Sequence, residues 1–224
     1  MKLVLFDLDG TLLPGDSDHA FGQFMVDIGW ADGPSWQARN DAFYAQYQAG
    51  TLVLAEYVDF ATAVWRGRSL AEAAAAHERF MREVISPMIK PAALGLVRGH
   101  LAAGDLVAVV TATNEFVTRP IAAAFGIEHL LAVELAREDN GAFSGRILGT
   151  PTFREGKVAR VQAWLAQLGR TWAEFDEVLF YSDSTNDLPL LEQVDTPVAT
   201  NPTPALEAIA RERGWRILKL FEQQ

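Results

Sequence analysis

The run LVLFDLDGTLL, residues 3–13, decides the fold. Val4, Leu5 and Phe6 are continuously apolar, not alternating, which predicts a strand buried on both faces. Strands of that kind belong to parallel sheets covered by helices on each side. Gly10 and Thr11 supply turn chemistry where the strand stops. Open α/β sheets place their ligand sites at that end of the strands. Asp7 and Asp9 stand there, separated only by Leu8. Two carboxylates in so apolar a setting mark a functional position, because a helix cap needs only one.

Outward from this run the chain has two textures. Between residues 16 and 86 no strand pattern occurs. Phe21, Phe24, Met25 and Ile28 fall at helical spacing, as do Trp36, Phe43, Tyr44 and Tyr47, and further helical patterns cover 54–65 and 69–84. Pro87 and Pro91 bracket a return to alternating elements. LVAVVT (106–111) reads as a second buried strand, with a helix through VTRPIAAAF, and LLAVEL (130–135) as a third. EDNGAFSGRI carries hairpin chemistry at Asn140-Gly141. An amphipathic helix at 157–168, strands EVLFYS (177–182) and PVAT (197–200), a helix at 204–213 and a last element at 215–220 complete the chain. Such alternation predicts an α/β fold with a doubly wound, Rossmann-like parallel sheet. The expected organisation is a core domain, 1–15 and 87–224, and a helical cap domain, 16–86, set as a lid over the first strand's C-terminal end.

Composition narrows the function. The 224 residues are 50% hydrophobic, which excludes a disordered chain. There is no cysteine, so disulfides, thiolate metal sites and cysteine nucleophiles are excluded, and a reducing cytoplasm is the expected compartment. A net charge of -10 argues against nucleic acid and anionic membranes as partners. The N-terminal apolar run is short and broken by Asp7, unlike a signal peptide, and no run approaches the length of a membrane span. No feature sets an oligomeric state.

The remaining polar residues fall at element ends. Thr111 closes LVAVVT, with Ala112 next; Asp183 closes EVLFYS within SDSTND, followed by Asn186 and Asp187; Lys157 opens the helix of REGKVARV. If the strands ending near Asp7, Thr111 and Asp183 are neighbours, three acids, a hydroxyl and a lysine converge. Carboxylates that close repel unless a cation sits among them. A hard divalent ion with oxygen ligands meets that need.

FDLDGTLL, VVTAT, the Gly156-Lys157 pair and SDSTND, in that order, resemble the four motifs of the haloacid dehalogenase-like phosphatases. The helical insert after the first motif is most similar to the phosphoserine phosphatase-like subfamily (IB), and the resemblance spans nearly the whole chain. It implies a phosphatase acting on a small phosphorylated metabolite with Mg²⁺. Asp7 is then the nucleophile, Asp9 the general acid/base, and Thr111 and Lys157 hold phosphate. Asp7, Asp9 and Asp183 form the metal set, with Asp187 on a metal-bound water. Gly10, Thr11, Ala112, Asn186 and Asp16 complete the expected phosphate and substrate contacts. An acid at the second position of the first motif speaks against dehalogenase chemistry.

The chemistry fits these roles. Phosphoryl transfer needs alignment and charge neutralisation more than covalent chemistry. An ionised Asp7 can form an aspartyl-phosphate, and Asp9 can protonate the leaving alkoxide, provided its pKa is raised. Gly10, lacking a Cβ, is expected to let backbone N–H groups approach phosphate. Asp16 has two readings, a contact for a substrate amine or the N-cap of the first cap helix. Asn186 and Asp187 could cap the helix that follows them. AEYVDFATAVW holds no arginine for a substrate carboxylate, which weighs against phosphoserine. His77, His100 and His129 are expected at the surface or at helix ends. A mutase or phosphotransferase using the same intermediate is the alternative, and a non-enzymatic phosphometabolite-binding module is disfavoured because a binder needs no nucleophile.

Overall fold

A computed structural model describes residues 1–139 and 141–221. Six parallel strands form one sheet in the order β3-β2-β1-β6-β7-β8. They are β1 (Leu3–Phe6), β2 (Leu106–Asn114), β3 (His129–Val133), β6 (Val178–Ser182), β7 (Thr196–Thr200) and β8 (Arg216–Leu218). Chain order reverses beside β1, between β2 and β6, which is the switch point where such sheets bind ligands. Phe6 pairs with Val109 on one side and Tyr181 on the other. In that register the residues just past them, Asp7, Thr111 and Asp183, emerge at a common edge.

The continuous apolarity of the strands has a direct cause: both faces are covered. Val4, Phe6, Val109 and Tyr181 join one hydrophobic cluster, and Leu3, Leu5, Val110 and Phe180 another. The second is closed by α8 (Glu155–Gln167), α9 (Leu188–Leu191) and α10 (Pro204–Arg213), through Val161, Leu190 and Leu206. The first is covered by α6 (Pro91–Ala102) and α7 (Glu115–Ala124), with Val97 and Ile121.

After β1 the chain runs first through four helices: α1 (Ser17–Asp27), α2 (Gly33–Gln48), α3 (Leu54–Arg66) and α4 (Leu70–Phe80). The last continues as a π-helical stretch, Met81–Ile85, into the short α5 (Ser86–Met88). Phe21 and Met25 of α1, Trp65 of α3 and Phe80 of α4 share the cluster that covers the sheet. Only α2 stays outside it, with Asn40 as its one buried residue.

LLAVEL does not form a single strand. It breaks at Glu134, so that β4 (Leu135–Arg137) leaves the main sheet and pairs antiparallel with β5 (Phe143–Ile147). Asn140 of the expected turn lies outside the described residues. One histidine also differs from expectation: His129 opens β3 with its ring against Trp164. His77 lies in the last turn of α4, 6% exposed, and bonds the Val117 carbonyl. His100 likewise lies in the last turn of α6, bonded to Asp105 and the Tyr181 hydroxyl. No described helix is long and apolar enough to cross a membrane.

Candidate active site

Asp7 is the first residue past β1, and its N–H extends the sheet by donating to the Tyr181 carbonyl at 2.9 Å. The loop after it is wound on one acceptor: the N–H groups of Thr11, Leu12 and Leu13 all reach the Leu8 carbonyl. Gly10 has φ +76°, and a Cβ there would stand 2.3 Å from Asp183 Oδ2. The missing side chain therefore makes room for Asp183. The Gly10 N–H donates to the Gly15 carbonyl at 3.1 Å. Asn201 Nδ2 donates to the carbonyls of Gly10 and Thr11 and pins the loop from β7.

Lys157, the third residue of α8, is 1% exposed. Its ammonium donates to Asp7 Oδ1 and to Asp187 Oδ2, both at 2.8 Å. Burial alone would lower its pKa, but Asp187 and Asp7 outweigh that and raise it, so the ammonium persists. Asp187 also accepts from Ser182 Oγ at 2.7 Å and makes no side-chain cap to α9. Asn186 is turned away from the carboxylates: its Nδ2 reaches the Tyr47 carbonyl on α2.

Asp183 and Asp7 flank a single hydroxyl. Thr11 Oγ1 is 3.2 Å from Asp7 Oδ2 and 3.4 Å from Asp183 Oδ1, but has one proton to give. Burial, and then Asp7 and Asp187, push the Asp183 carboxyl well above the usual range. Burial likewise raises Asp7 to about 7, against the opposing pull of Lys157. Once ionised, Asp7, Asp183 and Asp187 would set three negative charges against one ammonium, a deficit of two that a divalent cation matches. The donors are all oxygen, which suits Mg²⁺ over Zn²⁺. Among the described residues no three acidic or imidazole side chains are drawn together at metal-ligand spacing; Asp7 and Asp183, which share the Thr11 hydroxyl, could hold such an ion.

Asp9 is held on a different side. Its Oδ1 accepts from the Ser17 N–H at 2.7 Å and its Oδ2 from Thr113 Oγ1 at 2.8 Å. Both oxygens accept hydrogen bonds there, whereas Asp7 and Asp183 share the Thr11 hydroxyl. Burial, then the charge of Asp16, raises Asp9 to about 7. Thr113 escaped the reading of the sequence, although its spacing of two from Thr111 on an extended segment was the available signal. Thr111 Oγ1 accepts from the Thr113 N–H at 3.1 Å, within the stretch of β2 where its register with β3 shifts between Val110 and Asn114.

Asp7 and Asp9 open on a cavity between the strand ends and the inserted helices. Asp7, Asp9, Thr111 and Ala112 line its base, and Phe43, Tyr44, Tyr47 and Tyr57 its walls. Asp16 lines it too while accepting from the His19 N–H at 2.7 Å, so it caps α1 and faces the cavity at once. No lysine or arginine is among the lining residues. Arg154, at φ +51° just before α8, reaches the Gly50 carbonyl beyond α2 and ties that helix to the core.

Comparison with known proteins points the same way. The haloacid dehalogenase-like hydrolase family model matches residues 4–192. The chain is 42% identical over 217 residues to a Neisseria meningitidis serogroup C (strain 8013) protein named histidinol-phosphatase, covering 97% of this chain and 98% of that one. A crystal structure from Bordetella pertussis Tohama I superposes with a TM-score of 0.93 at 51% identity, covering 98% of this chain and 99% of that one. A substrate-bound phosphoserine phosphatase superposes with a TM-score of 0.68 over 97% of this chain and 92% of its own, at 16% identity, a likeness of fold.

Proposed function

The chain belongs to the haloacid dehalogenase-like hydrolases, and on that premise we propose that it is a Mg²⁺-dependent phosphatase of amine-bearing phosphomonoesters, histidinol phosphate foremost. The observation that carries the reading is the division between Asp7 and Asp9. Asp7 is paired with Lys157 beside Asp183, whereas Asp9 is hydrogen-bonded by Ser17 and Thr113. Two carboxylates two residues apart thus sit in environments suited to opposite tasks.

Asp7 attacks phosphorus, the bond to the leaving oxygen breaks, and an aspartyl-phosphate forms. Asp9, raised to about 7, gives its proton to the departing alkoxide and then takes one from the water that cleaves the acyl phosphate. Lys157 keeps Asp7 oriented and places positive charge beside the transferring group. Asp7 and Asp183 would hold Mg²⁺, which supplies neutralisation of the phosphoryl charge and a template for in-line geometry. Asp187 holds Lys157. In this reading residues 16–86 act as a cap on a core of 1–15 and 87–224, excluding bulk water while the phosphoryl group passes to Asp7.

Asp16 and the aromatic walls suit an ammonium, and a cavity with no lysine or arginine among its described lining residues does not suit the carboxylate of phosphoserine. Purified protein with Mg²⁺ should release inorganic phosphate from histidinol phosphate with no acceptor present, which separates hydrolysis from transfer to a second alcohol. Asp7→Asn should keep the fold and abolish release. Full turnover in that variant, with deamidation excluded by mass, would overturn the assignment.

A further inference from the structure

Asp18 lies two residues beyond the cap of α1, lines the same cavity and is 8% exposed. It has no capping duty, because Asp16 already accepts the His19 N–H. A donor from another element holds it, Asn114 Nδ2 from the end of β2 at 3.2 Å, and Tyr57 of α3 lines the cavity beside it. Asn114 is oriented for this, since its Oδ1 caps α7 by accepting the Val117 N–H and so turns its amide nitrogen toward Asp18. Burying a carboxylate is costly, and helix capping does not account for it.

We propose that Asp18, set by Asn114, is a specificity-determining anchor for a second nitrogen group on the leaving alcohol, distinct from the amine held by Asp16. The proposal rests on the phosphatase reading above and adds the substrate class. A carboxylate offers about four acceptor positions, and the Asn114 donor leaves capacity for a ligand N–H. Phe43 and Tyr44 give flat walls, and the His19 ring already stacks on Tyr44 at 4.8 Å. Burial, then Asp16 and Asp9, raises the Asp18 carboxyl well above the usual range, so a cationic or N–H donor relieves it and an anionic tail does not. Two acids among aromatic walls describe a phosphomonoester with a primary amine and a protonatable heteroaromatic ring. Histidinol phosphate is one such compound.

The test compares wild type with Asp18→Asn on three phosphoesters: histidinol phosphate, phosphoethanolamine (amine without ring) and p-nitrophenyl phosphate (neither). Histidinol without phosphate is titrated calorimetrically into both proteins. KM for histidinol phosphate should rise about 10- to 100-fold with kcat within about threefold, and histidinol affinity should fall in parallel. KM for the other two should move far less. Tyr57→Phe, which removes only the hydroxyl, should shift KM the same way by a smaller factor and serves if Asp18→Asn does not fold. Equal losses on all three esters, or none on histidinol phosphate, overturn the anchor. So does a wild type no better on histidinol phosphate than on phosphoethanolamine, and that result leaves the phosphatase reading intact. If no ester is hydrolysed, the phosphatase reading falls, and equal histidinol affinity in the two proteins then overturns the anchor separately.

Discussion

The Lys157 ammonium stands 2.8 Å from Asp7 Oδ1 across 150 positions of sequence, and the same ammonium holds Asp187. Removing one member of a buried ion pair leaves the other uncompensated, at a cost of about 3–5 kcal/mol. Lys157→Met should therefore lose stability of that order in urea unfolding without metal. Adding Asp187→Asn should restore part of it, because one of the two stranded charges is gone. A single variant as stable as wild type would show that the carboxylates do not depend on Lys157.

Asp9 should govern leaving-group dependence. Its pKa is raised to about 7, and the reaction needs its protonated form, so kcat on alkyl phosphates should decline as pH rises through about 7. Asp9→Asn should remove that limb and cost about 10²–10⁴-fold on alkyl esters, and much less on aryl esters, whose leaving groups need little protonation. Equal losses on both ester types would end the acid role.

At Asp16 a single substitution separates two tasks. Asparagine caps a helix as well as aspartate does, so Asp16→Asn should keep the melting temperature near wild type. It should still reduce kcat/KM for amine-bearing esters by about 10- to 150-fold, the worth of a charge-assisted hydrogen bond. Asp16→Ala should add a stability loss of about 1 kcal/mol. Melting curves beside kinetics on phosphoethanolamine and p-nitrophenyl phosphate check both.

Metal binding can be read without turnover. An ion that binds only the folded state stabilises it by about 2.7 kcal/mol at 100-fold over its Kd, or about 5–11 °C for a chain of this size. Mg²⁺ should raise the wild-type melting temperature, and Asp183→Ala should abolish most of that rise. An undiminished shift would move the metal elsewhere.

His77 should make stability pH-dependent. Burial lowers its pKa below the ordinary value of 6.5, despite the Val117 carbonyl accepting its ring N–H. The folded state therefore resists protonation. Its contribution is intact above about 6.5 and is lost as pH falls below that, where the unfolded chain takes the proton first. The buried carboxylates with raised pKa work in the opposite sense, gaining relative stability as pH falls. The difference between wild type and His77→Gln isolates the histidine: it should shrink on acidification from pH 7.5 to 5.5, and a constant difference would rule out the linkage.

Much of this protein was legible before its fold. A continuously apolar run such as Leu3–Phe6 means a strand covered on both faces, and 3.6-residue spacing in the segment after Asp16 means helices; both are local properties. The placement of Asp7, Asp183 and Lys157 at element ends followed from the same patterns, because parallel strands gather their C-terminal ends at one edge. Tertiary structure alone decided the rest. That Gly10 exists to admit Asp183, that Thr113 and Ser17 hold Asp9, and that Asp18 meets Asn114 are contacts between distant segments. The break of LLAVEL at Glu134 and the sharing of one core by α1, α4 and the sheet belong with them. Periodicity reports which face of an element is buried, but the partner across that face, and which buried polar group it satisfies, depends on packing that no local window contains.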